Sequence, residues 1–412
     1  TQLRFGFDNL QYPIDGNVGV RYVKTDTSAH GYTVFNNTAP TVVPGAQVGG
    51  PGIPIISSFS KKQDFENTYN NVLPSLNLRL KASDTLQFRA AFASALSRPD
   101  FSQLQAYTTL SETASVTNNL SNGTVVVNSV DLSGKGAGNP LLKPTTANQV
   151  DVTAEWYFAP GGSLTLAVFN KQLKDIIVNQ IYSFSLNDTS GKPHAFAVTG
   201  PVNGAKGRAR GLELAYQQYF DRLPGWLSGI GVQANYTYVD SHQDLYSPVY
   251  QAYCTGAGTL VNLNLNMNGC DTNGQTFGNL PLQNLSRNAY NLALMYDKGP
   301  FSARLAYSWR GKSLQAVNVN GTQGSDGTDT NPNSATNGQH NVVWGLPTYA
   351  GAYGQLDASV FYKISENLSL GLEAQNITDA KYTQLMDQSI GTKGRAWFVS
   401  GPRYTAQLRY AF

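Results

Sequence analysis

Hydrophobic and polar residues alternate one by one along much of the chain, most clearly at its end. From Gly401 to Phe412, Tyr404, Ala406, Leu408, Tyr410 and Phe412 alternate with Thr405, Gln407, Arg409 and Ala411. A period of two marks a half-buried strand, because successive side chains point to opposite faces. The apolar row finishes on an aromatic residue with no polar tail after it. Two settings accommodate that ending: the edge strand of a soluble sandwich, or the last strand of a membrane barrel whose lipid-facing row ends in an aromatic girdle.

The same pattern recurs as strand, tight turn, strand and long polar loop. Leu3, Phe5 and Phe7 lead through a turn at Pro13 to Gly16 into Val18, Val20 and Tyr22, followed by a polar stretch from Thr25 to about Ser60. Leu76, Leu78 and Leu80, opposite Asn77, Arg79 and Lys81, turn at Ala82 to Thr85 into Leu86, Phe88, Ala90 and Phe92, and a loop runs from Leu96 to about Thr146. Val150, Val152, Ala154, Trp156 and Phe158 turn at Ala159-Pro160-Gly161-Gly162 into Ser163 to about Ser183, which alternates too poorly to be given faces. After a loop from Leu186 to Asn203 come Leu212, Leu214 and Tyr216, a turn at Asp221 to Gly225, and Ile230, Val232, Ala234, Tyr236 and Tyr238. Beyond a loop from Ser241 to about Leu285, the rows Tyr290 to Tyr296 and Phe301 to Trp309 flank a turn at Asp297 to Pro300, and a further loop runs to about Tyr349. Leu356 to Tyr362 and Leu368 to Ala374 flank the turn Ile364 to Asn367, and a last loop from Asp379 to Ser400 leads into the final strand. The pattern predicts about thirteen strands.

Short and long connections fall at opposite ends of every hairpin, which sandwiches do not require and outer-membrane barrels display as short periplasmic turns and long extracellular loops. A stacked solenoid is excluded because the hairpin spacing varies too widely. Composition sharpens the choice. Of 412 residues only 13% are charged, Tyr and Gly number 23 and 40, and mean hydropathy is −0.28. No run of about 18 apolar residues could span as a helix, so crossing a membrane requires a closed ladder of strands. The expected fold class is an all-β transmembrane antiparallel barrel in the outer membrane of a Gram-negative bacterium. A net charge of +3 is too small to argue for nucleic acid. The chain opens in mid-strand at Thr1 to Phe7, and if the final strand descends to the periplasm, an odd number of strands precedes it. About nine more would complete a barrel of about twenty-two, the size associated with plugged transporters.

Several stretches then carry a specific resemblance. They are Leu96-Ser97-Arg98-Pro99, Gly138-Asn139-Pro140-Leu141-Leu142-Lys143-Pro144, Glu155-Trp156-Tyr157-Phe158 before Pro160-Gly161-Gly162, Gly207-Arg208-Ala209-Arg210-Gly211-Leu212-Glu213, Glu373-Ala374-Gln375-Asn376-Ile377-Thr378-Asp379, and the terminal Gly401-Pro402-Arg403-Tyr404 strand. In order and spacing they resemble the barrel of TonB-dependent outer-membrane receptors, in the subgroup common in xanthomonads and caulobacters. The resemblance implies a plug domain of the same protein, a TonB complex as energy source, and a small-molecule or oligosaccharide ligand. No plug, TonB box or early strands are found within residues 1 to 412, so the expectation is the C-terminal portion of such a barrel.

Residue roles follow from the faces. Arg79, Arg89, Asp151, Glu155, Glu213, Arg304, Asp357, Glu373 and Arg409 lie opposite the apolar rows and are expected to line the lumen, either as a wall for plug and solute or because a lipid-facing charge costs about 2 to 4 kcal/mol near the midplane. Lys206, Arg208 and Arg210 share the parity of Leu212 and Leu214. A regular strand points them outward to lipopolysaccharide phosphates; a bulge would turn them inward. Cys254 and Cys270, the only cysteines, lie in one loop assigned to the oxidising exterior and are expected to pair. The resemblance adds that Leu408, Tyr410 and Phe412 form an assembly signal.

Catalysis and metal binding find no support. His30, His194, His242 and His340 all fall in predicted loops, and none has zinc-ligand spacing. Asp240-Ser241-His242-Gln243-Asp244 reads as a solvated loop top, and Gly204 to Gly211 lacks the Gly-Lys-Ser/Thr ending of a phosphate loop. No enzyme and no cofactor are expected. Two function classes stay open: the barrel of an energised importer for a bulky nutrient, an oligosaccharide before a siderophore, or a passive porin or surface adhesin.

Overall fold

A computed structural model of the protein describes residues 1–38, 46–119, 123–246, 280–320, 345–388 and 391–411. In chain order its strands are β1 (Gln2–Phe7), β2 (Ile14–Asn37), β3 (Gln47–Gly49), β4 (Phe59–Lys81), β5 (Leu86–Ser97), β6 (Tyr107–Asn119), β7 (Thr124–Gly136), β8 (Thr145–Ala159), β9 (Gly162–Asn187) and β10 (Pro193–Tyr219). They continue as β11 (Ile230–Leu245), β12 (Asn288–Lys298), β13 (Phe301–Arg310), β14 (Ser313–Asn320), β15 (Gly345–Ala350), β16 (Tyr353–Lys363), β17 (Leu368–Gln375), β18 (Lys381–Gln388), β19 (Gly391–Val399) and β20 (Arg403–Tyr410). Two single-turn 3-10 helices lie at Phe101–Leu104 and Gly225–Gly229. Among the described residues no helix is long and apolar enough to cross a membrane.

Thirteen of these strands make one antiparallel meander in the order β1, β2, β4, β5, β8, β9, β10, β11, β12, β13, β16, β17, β20. They are the strands that alternation predicts. Two of the turns show why the chain reverses where it does. Ala159 pairs with Gly162 across Pro160-Gly161, with Gly161 at φ 66°, which fits a type II turn with Pro first and Gly second. Lys298 pairs with Phe301 across Gly299-Pro300, with Gly299 at φ 61°, the glycine-first order of a hairpin turn.

The structure corrects the predicted loops. Residues Thr25 to Phe35 pair one for one with Tyr69 to Phe59, and β9 and β10 pair from Pro193 opposite Asn187 downward, with register shifts near Asn203 to Gly207. Within the loops placed at Thr25 to Ser60 and Leu186 to Asn203, Thr25 to Asn37 and Pro193 to Asn203 are therefore strand. Above the apolar layer Thr25 to Tyr32 is mostly polar on both faces, so the hydrophobic alternation vanishes although Thr, Tyr and Val still favour strand, and in β10 Gly200 and Pro201 cut short the row of Phe196 and Val198. The turn expected at Pro13 to Gly16 lies earlier, at Asp8 to Pro13, because Gly16 pairs with both Phe5 and Leu78. Within Leu96 to Thr146, β6 and β7 form a hairpin that also pairs with β2 and β10. Four strands from two other expected loops make a separate sheet in the order β14, β15, β18, β19.

Cross-strand partners point to the same face, so the register carries one face across the meander. Leu78, Ala90, Val152, Val168, Leu212, Tyr238 and Leu292, Leu305, Leu372, Leu408 fall on one side of the ladder. That side is apolar and open: Leu292, Leu294, Leu372 and Leu408 are 50, 53, 52 and 69% exposed. Water-soluble surfaces rarely carry a contiguous apolar area beyond a few hundred Å²; a lipid-facing band requires one. Aromatic pairs bound it, with Tyr290 stacked on Trp309 at 5.1 Å toward the long connections and Tyr296 edge-on to Phe301 at 5.6 Å toward the turns. Six residues at about 3.4 Å each span roughly 20 Å, close to the height of an outer-membrane band.

The buried clusters lie at the end bearing the long connections. Val178, Ala205, Leu245 and Leu280 pack with Leu314 and Tyr349 of the separate sheet. Phe35, Ile56, Leu110, Phe196 and Val198 form a second cluster where the β6–β7 hairpin seats.

Candidate functional site

The nine charges expected opposite lipid share one face. Arg79 stands opposite Asp15 and Arg89, Arg89 opposite Thr153, and Glu213 opposite Ala167, which is also opposite Thr153. Asp151 and Glu155 share the parity of Thr153 in β8. Arg304 stands opposite Ser359, and Asp357, Glu373 and Arg409 continue that row through Ala306, Ser359 and Ser369. Part of the row is a hydrogen-bonded network near the turns. Arg79 donates from Nε to Asp15 Oδ2 at 2.9 Å and from Nη2 to the same oxygen at 2.7 Å. Glu155 accepts from Arg89 Nε at 2.7 Å, Gln87 Nε2 at 2.5 Å and Tyr157 OH at 2.9 Å. Two arginines and two carboxylates thus neutralise one another, and the fork geometry favours side-on carboxylate pairing.

At the opposite end a cavity of about 480 Å³ opens between β9, β11, the helix Phe101–Leu104 and residues 282–285. Gln103, Asn179, Gln243, Gln283 and Asn284 line it together with Ile, Val and Leu side chains, and no lining residue is charged. Backbone contacts hold its walls: Gln243 N–H donates to Leu280 O at 2.9 Å and Asn284 N–H to Leu314 O at 2.7 Å. Paired amides beside aliphatic surface can donate to and accept from a neutral ligand rich in hydroxyl groups. Sequence alone does not assemble this lining, because it comes from four separated segments, one read as strand and the others as polar loops.

Two of the motif stretches serve as staples. Asn376, at φ 53° and buried, accepts from Ala380 N–H at 2.7 Å and donates to Gly401 O at 3.3 Å, while its own N–H donates to Asp357 Oδ1 at 2.9 Å. In the other, Asn139 donates to Pro201 O at 3.1 Å, and Lys143 exchanges backbone bonds at 2.8 Å with the Asn203 amide.

Lys206, Arg208 and Arg210 stand opposite Asp244, His242 and Asp240 in an unbroken β10–β11 register, and the bulge lies on the β9 side. Arg208 and Arg210 therefore share the face of Leu212 and Leu214. Arg210 Nε donates to Asp240 Oδ2 at 3.1 Å. Among the described residues no group of three His, Cys, Asp or Glu side chains is placed to hold a metal. Cys254, Cys270 and Phe412 lie outside the described residues; Leu408 and Tyr410 sit on the apolar face opposite Leu370 and Leu368.

One residue had no signal in the sequence. Glu112 of β6 is fully buried, and neither carboxylate oxygen has a hydrogen-bond partner among the described residues. Burial pushes its carboxyl above the usual range, against a smaller opposing pull from His194. His194 Nε2 lies 2.9 Å from Asp188 Oδ2. Asp188 is held far below the ordinary carboxylate range by the Ser190 hydroxyl first and His194 next.

Comparison with known proteins gives one family and one fold. The model of the family described as TonB dependent receptor-like, beta-barrel, matches residues 1–377. Among solved structures, the siderophore receptor PirA from Acinetobacter baumannii is 15% identical over 97% of this chain and 46% of its own, with a TM-score of 0.49. A double mutant of the ferric enterobactin receptor PfeA from Pseudomonas aeruginosa is 18% identical over 100% of this chain and 53% of its own, with a TM-score of 0.50. The ferric yersiniabactin uptake receptor FyuA from Yersinia pestis is 13% identical over 97% and 43%, with a TM-score of 0.46. The chain thus spans about half the length of these solved structures. No curated protein matches.

Proposed function

Because the chain belongs to the TonB-dependent receptor-like β-barrel family, we propose that it forms the C-terminal part of the barrel of an energised importer for a bulky nutrient, an oligosaccharide in preference to a siderophore. The family is one of Gram-negative outer-membrane receptors and transporters rather than enzymes, and the chain's place is the outer membrane. The plug and the TonB-contacting box belong, in this reading, to other parts of the same protein. The subgroup common in xanthomonads and caulobacters is supported by the motif set alone.

The observation that carries the substrate class is the cavity of about 480 Å³ whose polar lining is Gln and Asn without a charge. Neutral amides match sugar hydroxyls in both directions of hydrogen bonding, whereas an anionic ferric chelate calls for cationic partners. The solved structures named above are of siderophore and ferric-chelate receptors by their own description; at 13 to 18% identity they speak for the fold. The nine charged residues are assigned to the lumen, where the Asp15–Arg79 and Arg89–Glu155 pairs would face the plug near the periplasmic turns. Leu408, Tyr410 and Phe412 are assigned to recognition by the barrel-assembly machinery.

The test is uptake by cells whose own receptors are deleted and which express the full-length protein. Labelled oligosaccharides and ferric siderophores are compared with and without TonB. Sugar uptake that stops without TonB supports the reading; siderophore uptake refutes the substrate class, and TonB-independent uptake favours the passive porin.

A further inference from the structure

The outer face of β9, β10 and β11 carries a groove that the transport reading leaves unused. It is a depression of about 580 Å³, and its lining includes Val168, Leu212 and Tyr238 at the apolar end and Arg208 and Arg210 at the polar end. Register places all five on the face that bears the exposed apolar band. Tyr238 stands level with Val168 and Leu212 in the register, so the groove straddles the upper edge of that band, with apolar surface below and guanidinium groups above.

The two arginines are not equivalent. Arg210 is occupied by Asp240. Arg208 stands opposite His242 and Gln172, and its Nε is shut off from solvent with no acceptor among the described residues. A desolvated cationic donor without a partner is costly, and the cost disappears when an anion supplies the acceptor. Exposed Lys206, two residues farther from the band and opposite Asp244 in the β11 register, adds a further cation at the rim.

We infer that this groove binds the phosphorylated glycolipid of the outer leaflet, with an acyl chain along Val168 and Leu212 and a phosphate on Arg208. Arginine suits that role because its planar fork meets two phosphate oxygens at once. Membrane depth supplies the occupant: a groove continuous with the lipid-facing band meets lipid headgroups before any soluble anion.

The full-length protein is extracted from outer membranes in mild detergent, and bound lipid A is measured per protein by mass spectrometry on the heat-modifiable, folded fraction. Joint Lys206→Gln and Arg208→Gln should lower retained lipid by about tenfold, the scale of one charge-assisted hydrogen bond. Arg222→Gln, the same charge change beside the short turn, should leave it unchanged. Equal retention in all three proteins, or equal loss in both variants, overturns the site. In a second arm, delipidated protein is titrated with vesicles containing lipid A with or without its phosphates; equal binding to both overturns the role of Arg208. Should the double variant fold poorly, Lys206→Gln alone is measured against Arg222→Gln by the same criterion.

Discussion

A single charge placed on alternate residues of β12 should separate the two faces by a measurable energy. Leu292 stands opposite Ala234 of β11 and Tyr307 of β13, is 50% exposed, and lies midway along the row Tyr290 to Tyr296. The aromatic pairs that close that row put residue 292 near the middle of the band. Arg there costs about 2 to 4 kcal/mol, equivalent to roughly 30- to 900-fold in the folded population. Asn291 points the other way, where its Nδ2 donates to Asn235 Oδ1 at 2.8 Å. Asn291→Arg gives up that one exposed bond, worth about 1 kcal/mol, and places its charge where Arg304 and Asp357 already stand. The assay is refolding of the full-length protein into lipid vesicles, with the heat-modifiable fraction followed against urea. Leu292→Arg should shift the midpoint far more than Asn291→Arg, and Leu408→Asp more than Arg409→Glu. If the odd-numbered positions proved the costlier, the facing would be inverted and the nine charges would lie toward lipid.

Two further outcomes concern the long-connection end. Glu112 has a carboxyl pushed up by burial, so the folded state holds its proton where the unfolded chain has lost it. Its contribution is therefore fullest below the unfolded value, near 4.3, and is lost as pH rises through the folded value. Glu112→Leu should remove that slope and protect the β6–β7 hairpin at neutral pH by about 1 to 3 kcal/mol, the cost of an unpaired buried polar group; hydrogen exchange of β6 amides in detergent would show this, and exchange that slows on alkalinisation would refute it. Cys254 and Cys270 should be joined, since a loop of about 15 residues closed this way gains roughly 3 kcal/mol in the simple chain model; two thiols labelled without reductant would refute the bond.

The parts of the fold that alternation made legible are those where one face meets lipid. There each strand must keep a period of two, because a single slip would turn Arg304 outward and Leu305 inward. The same demand ends at the edge of the band. Thr25 to Phe35 and Pro193 to Asn203 are paired as fully as the strands below them, yet the first is mostly polar on both faces as far as Tyr32, and in the second Gly200 and Pro201 interrupt the short row of Phe196 and Val198, so both read as loops. The separate sheet of β14, β15, β18 and β19 was hidden for a further reason: its central pairing joins residues as far apart as Thr348 and Met386, and no local pattern records such a partner.

The candidate sites divide along the same line. Arg208 was legible from parity with Leu212, because the band fixes which side is out. The amides of the cavity were not, since Gln103, Asn179, Gln243 and Asn284 come from four segments and each alone is an ordinary polar residue. The motifs that made the family recognisable stand between these cases. Asn376 is constrained because it closes a left-handed turn, holds Ala380 and reaches Gly401 at the start of the final strand. Such a residue reports how the barrel is stitched and says nothing of what passes through it. That is why the family was visible in the sequence while the ligand has to be argued from a cavity.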